Sequence, residues 1–176
     1  MSILMHYKGV ISADSRAIIS QGTDFERNTG MLKLFGFDDF VVMGMVGANA
    51  SIKYSSQEYM YFSNVVIDME KNREDSRELP KSVTKVYDQD NDDGRNLCFM
   101  TRRNFYLATK LGVERTIDDV PFSMGTGSRI ALMSLTNGCS VEESIRNAVQ
   151  MDPHCGGTII TFYAKNLNLI RRRRKK

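Results

Sequence analysis

Residues 124–160 read MGTGSRIALMSLTNGCSVEESIRNAVQMDPHCGGTII, and this stretch decides the fold. Gly125 and Gly127 enclose a single threonine, a spacing that predicts a sharp backbone turn with Thr126 exposed at its apex. Apolar residues at helical spacing follow this turn. The helix that they predict ends just before Gly138, a residue type that commonly closes a helix.

The second half of this stretch predicts another helix, a turn and a strand. Ser140 and Glu143 form a capping box at the start of the helix, and apolar residues recur along it at helical spacing. Asp152 and Cys155 fall in a small polar turn after the helix. The β-branched run that begins at Thr158 predicts a closing strand.

The rest of the chain adds strands and one long helix. The predicted strands share alternating or continuous apolar residues and lie at 3–7, 10–13, 31–37, 40–46, 96–100 and 105–109. Apolar residues three and four apart predict a long helix over 48–74. Polar composition predicts a loop at 20–29 and a turn at 112–116. This order of elements indicates an α+β domain in which helices cover the outer faces of packed sheets.

Composition indicates one domain with its own hydrophobic core. The chain has 176 residues, of which 41% are hydrophobic, so it needs no disulfide or metal to fold. No apolar run approaches the roughly 20 residues of a membrane helix, and no signal peptide opens the chain. The cysteines are odd in number and lack CxxC spacing, as is typical of a reducing cytosol. We therefore expect a cytoplasmic protein with no cofactor and no metal site, since its histidines also lack ligand spacing.

The chain ends in a basic tail that differs in charge from the body. We assign residues 1–166 to the folded domain and 167–176 to this tail, whose basic residues are Arg171, Arg172, Arg173, Arg174, Lys175 and Lys176. Without these six, the 24 basic residues fall to 18 against 21 acidic ones, which leaves a body of −3. Such a tail binds nucleic acid or another polyanion with strong salt dependence, or else it is a solvated end.

Four short segments occur in a specific order along the chain. They are GVISADSRA at 9–17, Lys33 with Gly47 fourteen residues later, MGTGS at 124–128 and DPHCGG at 152–157. In order and spacing they resemble the signature segments of proteasome β subunits and their simpler bacterial relatives. The resemblance covers residues 3–164 and implies an N-terminal-nucleophile (Ntn) hydrolase with a four-layer αββα sandwich. It is weakest between 72 and 96, where the family usually has a full second helix.

The resemblance implies catalytic roles for three residues in the first half of the chain. Asp14 matches the aspartate beside the family's nucleophile, and Lys33 matches the lysine that lowers the proton affinity of that nucleophile. The backbone N–H of Gly47 matches the donor of the oxyanion hole, where a fixed dipole meets the charge that develops on the attacked carbonyl.

Three further residues match a polar cluster around the terminal amine. Thr126, Asp152 and Cys155 stand where the family usually has serine, aspartate and serine. Thr126 keeps the hydroxyl, whereas the Cys155 thiol is a poorer hydrogen-bond partner than serine.

The nucleophile itself departs most from the family pattern. The family exposes a threonine at its N-terminus by removing a propeptide, and the α-amine of that residue is the general base. Here we expect no propeptide, and no threonine precedes Thr23, so Ser2 is the candidate once Met1 is removed. Ser2 lies about four residues closer to Asp14 than in the family. A hairpin shorter by two residues in each strand accommodates this difference without changing which face each side chain takes.

These features predict three alternative functions. The first is a subunit of a self-compartmentalising ring or other homo-oligomer that cleaves unfolded protein or peptides through Ser2, with an ATPase as a further partner. The second is a catalytically inactive structural protein of the same fold, which applies if Met1 is retained and blocks the amine. The third is a nucleic-acid-associated protein that contacts polyanions through its basic tail. None of the three involves a membrane.

Overall fold

The computed structural model describes residues 3–21, 24–28, 33–37, 39–46, 56–80, 96–109 and 111–170. The strands in these ranges are β1 Ile3–Tyr7, β2 Val10–Asp14, β3 Ala17–Gln21, β4 Asp24–Asn28, β5 Leu34–Phe37, β6 Val41–Val46, β7 Ser76–Glu78, β8 Asn96–Met100, β9 Phe105–Thr109, β10 Gly112–Thr116, β11 Phe122–Gly125 and β12 Ile159–Tyr163. The helices there are α1 Ser56–Asn72, α2 Ser128–Thr136 and α3 Val141–Met151, and a short 3-10 helix spans Ala164–Asn166. None of the helices in these ranges is long and apolar enough to cross a membrane.

Two antiparallel sheets form the frame of this mixed α+β fold. Sheet I has the strand order β11-β1-β2-β12, and sheet II has the order β5-β6-β8-β9-β10-β7. Strands β3 and β4 pair only with each other among the described strands. The first and last strands of the described chain therefore lie in the same sheet, on either side of β2.

The predicted first hairpin is confirmed, and its register follows from its turn. Lys8 and Gly9 both have positive φ angles, 47° and 70°, which is the conformation of a two-residue turn that matches strand twist. Tyr7 pairs with Val10 across this turn. At the open end of the hairpin, the start of β1 lies beside the end of β2.

Alternation along β1 sends its side chains into two different hydrophobic clusters. Ile3 and Met5 pack with α2 and α3 on one face of sheet I, whereas Leu4 points to the opposite face. There it packs against residues of sheet II, among them Val42 and Met100. The outer face of sheet II is covered by α1, whose buried residues there are Phe62, Val65, Val66 and Met69.

The two helices predicted within residues 124–160 are confirmed. Ser140 Oγ accepts a hydrogen bond from Glu143 N–H at 3.3 Å, and the Glu143 carboxylate accepts one from Ser140 N–H at 2.8 Å. This is the predicted capping box of α3. Helix α2 ends at Thr136 with Asn137 as its C-cap, and Gly138 follows with a φ of 92°, as the Asn-Gly pair indicated.

The loop predicted at 20–29 is wrong over its described part. Gln21 pairs with Asp24, and the register continues to Ala17 opposite Asn28. Polar residues are compatible with this hairpin because its hydrogen bonds come from the backbone. The strand predicted at 31–37 is described as β5, Leu34–Phe37.

The turn predicted at 112–116 is also wrong, because these residues form strand β10 of sheet II, between β9 and β7. Val113 is fully buried and pairs with Ala108 on one side and Arg77 on the other. Gly112 begins this strand and not a turn. Part of the pairing that makes it a strand comes from Glu78, which is distant in the sequence. Strands β7 and β11 had no prediction because each has only three or four residues.

The predicted long helix is confirmed as α1, Ser56–Asn72. The remainder of that prediction, residues 48–55, lies outside the described residues. So do Ser2, Gly47 and the basic residues 171–176. Ile170, which belongs to the predicted tail and precedes its basic residues, is buried against the core under α1. The division into a domain and a tail stays a prediction.

Candidate functional site

The buried carboxylate of Asp14 joins three distant parts of the chain. Its Oδ1 accepts a hydrogen bond from the backbone N–H of Ile3 at 3.0 Å and also binds the Lys33 ammonium. Its Oδ2 accepts a hydrogen bond from the backbone N–H of Gly156 at 2.8 Å. Asp14 is only 1% exposed. These partners therefore replace the hydrogen bonds to water that the carboxylate loses on burial.

Lys33 is held in place at both its backbone and its side chain. Its carbonyl accepts a hydrogen bond from Met45 N–H at 2.9 Å, which fixes it beside β6. Its ammonium forms a buried ion pair with Asp14. Burial lowers the pKa of Lys33 more than the neighbouring Asp14 raises it.

Thr126, Cys155 and Asp152 form a second polar group next to this pair. Thr126 Oγ1 lies 3.9 Å from Cys155 Sγ, and Cys155 Sγ donates to Asp152 Oδ2 at 3.5 Å. The other Asp152 oxygen accepts a hydrogen bond from His154 N–H at 2.9 Å. Burial alone raises the pKa of Asp152, but the hydrogen bonds from His154, Thr126 and Cys155 outweigh it and lower the pKa.

The turn around Thr126 reaches this group because its glycines permit a close approach. Ile3 pairs with Gly125, which brings the turn to the open end of the first hairpin. A Cβ on Gly127 would lie 2.7 Å from Cys155 Sγ and 3.1 Å from Ile3 Cδ1, so a side chain there has no room. The close packing of the turn on Cys155 thus depends on a glycine at 127.

Cys155 is a neutral thiol in this environment. Burial raises its pKa to about 12, with further contributions from the carboxylates of Asp14 and Asp152. A thiol with this pKa is a poor nucleophile at neutral pH, because the thiolate is the reactive form. Its chemical role is to donate a hydrogen bond to Asp152 and to fill the space beside Gly127.

The structure brings five of the predicted site residues together at one end of sheet I. They are Asp14, Lys33, Thr126, Asp152 and Cys155. Ser2 and Gly47 lie outside the described residues, although the peptide bond joins Ser2 to Ile3 and Gly47 directly follows β6. Within the described ranges, no three His, Cys, Asp or Glu side chains are grouped to hold a metal ion.

Two contributors to the site escaped the sequence argument. The N–H groups of Ile3 and Gly156 both donate to Asp14, and backbone donors leave no signal in side-chain patterns. Arg16 also contacts the site, through a hydrogen bond from its Nη1 to the carbonyl of Pro153. The signal for it in the sequence is its position two residues after Asp14.

Comparison with known structures supports a proteasome-like fold for this chain. The crystal structure of eukaryotic HslV from Trypanosoma brucei matches with a TM-score of 0.55 and 12% identity, covering 92% of this chain and 97% of that one. Thiobacillus denitrificans BPH matches with a TM-score of 0.52 and 13% identity, covering 92% of this chain and 96% of that one. No family model and no curated protein matches the sequence. At this level of identity, the similarity shows a proteasome-like fold and not an activity.

Proposed function

We propose that this protein is a proteasome-like peptidase subunit in which Ser2 is an N-terminal nucleophile. The observation that carries the proposal is the Asp14 carboxylate, which holds the first residue after Ser2, the Lys33 ammonium and the turn of Asp152 and Cys155 in one place. By the family resemblance, these groups correspond to those that an Ntn hydrolase uses around its nucleophile and its terminal amine. They come from four separate segments of the chain.

The proposed reaction divides peptide hydrolysis into two acyl-transfer steps. Ser2 Oγ attacks the substrate carbonyl carbon, and the hydroxyl proton passes to the free α-amine of Ser2. The N–H of Gly47 stabilises the oxyanion, and the protonated amine then gives its proton to the leaving nitrogen as the C–N bond breaks. Water attacks the resulting ester with the same amine as general base, which releases the acid product and restores Ser2.

The Asp14–Lys33 pair has an electrostatic role in this reaction. A buried ammonium favours negative charge on a nearby oxygen, because the attraction between the two charges is screened less in the protein interior than in water. Asp14 keeps Lys33 in place, and its hydrogen bond to Ile3 N–H fixes the backbone next to the nucleophile. Thr126 and Asp152 then position the amine, in the role implied by the family resemblance.

The proposal includes the four-layer αββα arrangement of the Ntn class. Packing supports it, since α2 and α3 cover sheet I, the two sheets share a core, and α1 covers sheet II. It also includes self-association into a ring or other homo-oligomer in the cytoplasm, with unfolded protein or peptide as substrate and an ATPase as partner. Met60 and Tyr61 on α1, 46% and 41% exposed, support self-association because large apolar side chains in contact with water are costly.

The deciding experiment joins intact mass with covalent labelling. The purified protein is weighed for the presence of Met1, treated with an electrophile selective for N-terminal nucleophiles, and mapped by peptide mass spectrometry. We expect loss of Met1 and one label on Ser2, with Ser2→Thr still labelled and Ser2→Ala unlabelled. Retention of Met1, or equal peptide hydrolysis by Ser2→Ala, would contradict the proposal.

A catalytically inactive protein of the same fold is the second candidate. The contacts of Cys155 favour it, because sulfur contacts at 3.5 and 3.9 Å are weaker than the hydroxyl contacts of a serine. The same labelling experiment decides between the two. The nucleic-acid reading stays a prediction, since its residues lie outside the described part of the chain.

A further inference from the structure

Arg16 makes an unusual set of contacts with the turn that follows α3. Its Nη1 donates a hydrogen bond to the carbonyl of Pro153 at 3.0 Å. Next to it, Ser15 Oγ accepts a hydrogen bond from Thr158 N–H at 2.8 Å. Together with the bond between Asp14 and Gly156, the last residue of β2 and the two residues after it each bind one part of the 153–158 segment. This segment therefore depends on β2 for its conformation.

Gly156 leaves room for the Arg16 guanidinium because it has no side chain. A Cβ on Gly156 would lie 2.5 Å from Arg16 Nη2 and 2.6 Å from Nε, so the guanidinium packs directly on the glycine backbone. Gly156 also has a φ of 153°, a conformation that residues with side chains rarely adopt. In this conformation its N–H donates to Asp14 at 2.8 Å. Arg16 thus touches the residue that completes the Asp14 hydrogen bonds.

We propose that Arg16 is a positioning residue that clamps the 153–156 turn onto Asp14 and places a second positive charge beside Lys33. The clamp acts through Gly156 and Pro153 and needs no contact with a substrate. For its effect on catalysis, this inference rests on the function proposed above. The clamp itself is a property of the folded protein, so it is measurable without any activity.

The charge of Arg16 adds an electrostatic effect to the clamp. The charge and titration of Lys33 are affected by the carboxylate of Asp14, the thiol of Cys155 and the guanidinium of Arg16, which come from two separate segments of the chain. Burial is the largest cause of the lowered pKa of Lys33, and the positive Arg16 acts in the same direction. Removing that charge therefore raises the pKa of Lys33. Under the function proposed above, the α-amine of Ser2 is subject to the same effect of charge.

Two variants separate the charge of Arg16 from its planar shape. Arg16→Lys keeps a positive charge but has no flat guanidinium to cover Gly156. Arg16→Met removes the charge and keeps a long chain. Arg146→Met is the matched control, because Arg146 is an exposed arginine of α3 that pairs with Glu142 away from the site.

The first measurements need no substrate. NMR of protein labelled with 13C at lysine Cε follows the titration of Lys33, and amide hydrogen exchange follows Gly156 N–H. We expect Arg16→Met to raise the pKa of Lys33 and to speed exchange at Gly156 about fivefold, since one hydrogen bond and its packing are lost. In Arg16→Lys, exchange should also accelerate, whereas the pKa of Lys33 should stay close to that of the wild type.

The labelling rate of Ser2 then connects the clamp to the proposed function. We expect Arg16→Met to slow labelling about tenfold and to move its rising limb to higher pH, because the amine must lose its proton to act as a base. Arg16→Lys should keep the wild-type pH profile. If wild-type Ser2 is not labelled, the proposed function fails, while the Lys33 and Gly156 measurements still decide the clamp. Values equal to those of Arg146→Met in both Arg16 variants would overturn the clamp.

Discussion

Ile3 donates its backbone N–H to Asp14 Oδ1 at 3.0 Å, across the open end of the first hairpin. This bond depends on the hairpin register, in which Leu4 lies opposite Ala13, and not on the length of the strands. Shortening both strands by two residues keeps every side chain on its face. The reduced spacing between Ser2 and Asp14 is therefore compatible with the Asp14 contacts described here.

Replacing Asp14 by asparagine should destabilise the protein. The change leaves the Lys33 ammonium buried without its counter-charge, at a cost of about 3 kcal/mol or more in the free energy of unfolding. Chemical denaturation measures this cost. The double variant Asp14→Asn with Lys33→Met is the control, and it should recover part of the lost stability. If the double variant is less stable than the single one, the buried pair is not the reason for the loss.

Replacing Cys155 by serine should strengthen the hydrogen bonds around Asp152. A serine hydroxyl forms shorter and stronger bonds than a thiol, so we expect Ser2 labelling to become about threefold faster. Cys155→Ala is the matched control, and it should slow labelling because Asp152 loses a donor. Equal rates in the serine and alanine variants would show that residue 155 serves packing alone.

Stability should fall between about pH 6.5 and pH 4 because of His6. Burial lowers the pKa of His6 from 6.5 to about 4, and its ring is stacked on Phe105 with the centroids 3.9 Å apart. In the unfolded chain His6 binds a proton below pH 6.5, whereas in the folded protein it stays neutral until about pH 4. Acidification within this window therefore favours unfolding. The difference corresponds to about 3 kcal/mol.

Urea denaturation at several pH values tests this effect of His6. His6→Phe should flatten the pH dependence between pH 6.5 and pH 4, because phenylalanine does not titrate. The substitution removes no hydrogen bond, since both ring nitrogens of His6 lack a hydrogen-bond partner. His154→Gln is the control, because His154 is exposed on the 152–157 turn. An unchanged slope in His6→Phe would assign the pH dependence to other groups, among them Asp118, which lies 3.4 Å from His6 Nε2.

Gly127→Ala should disrupt the packing of the Thr126 turn. The new methyl group would lie 2.7 Å from Cys155 Sγ, and we expect a loss of about 1–3 kcal/mol in unfolding free energy. Gly36→Ala on β5 is the control, since its nearest contact would be 4.0 Å away. Thermal unfolding of both variants measures the difference. Similar melting temperatures would mean that the turn shifts without cost.

Removing residues 171–176 should abolish binding to a polyanion column at low salt without changing stability. The last residue retained, Ile170, is buried in the core under α1, so the truncation leaves that core complete. Six fewer positive charges remove most of the counterion release that drives such binding. Replacing the six residues by serine is the control for length. Unchanged retention of the truncated protein would rule out the tail as the polyanion site.

Local features of this protein were predictable because their causes lie within a few residues. The Lys8-Gly9 turn and the Ser140–Glu143 capping box follow from short-range geometry, and both are confirmed. The proteasome-like fold was predictable for a different reason. Four signature segments in order identify an architecture even where each segment alone is common, and the structural comparison bears this out.

Short-range patterns in the sequence were enough to predict the first hairpin, the three helices and the residue types at the site. The tertiary structure decided that residues 112–116 form a strand, because Val113 is buried by pairing with β9 and β7. It also decided that Asp14 meets Lys33, Ile3 and Gly156, and that Arg16 packs on the same turn. Strand pairing and buried charge pairs join residues far apart in the chain, and their energies depend on burial, which a local pattern does not contain.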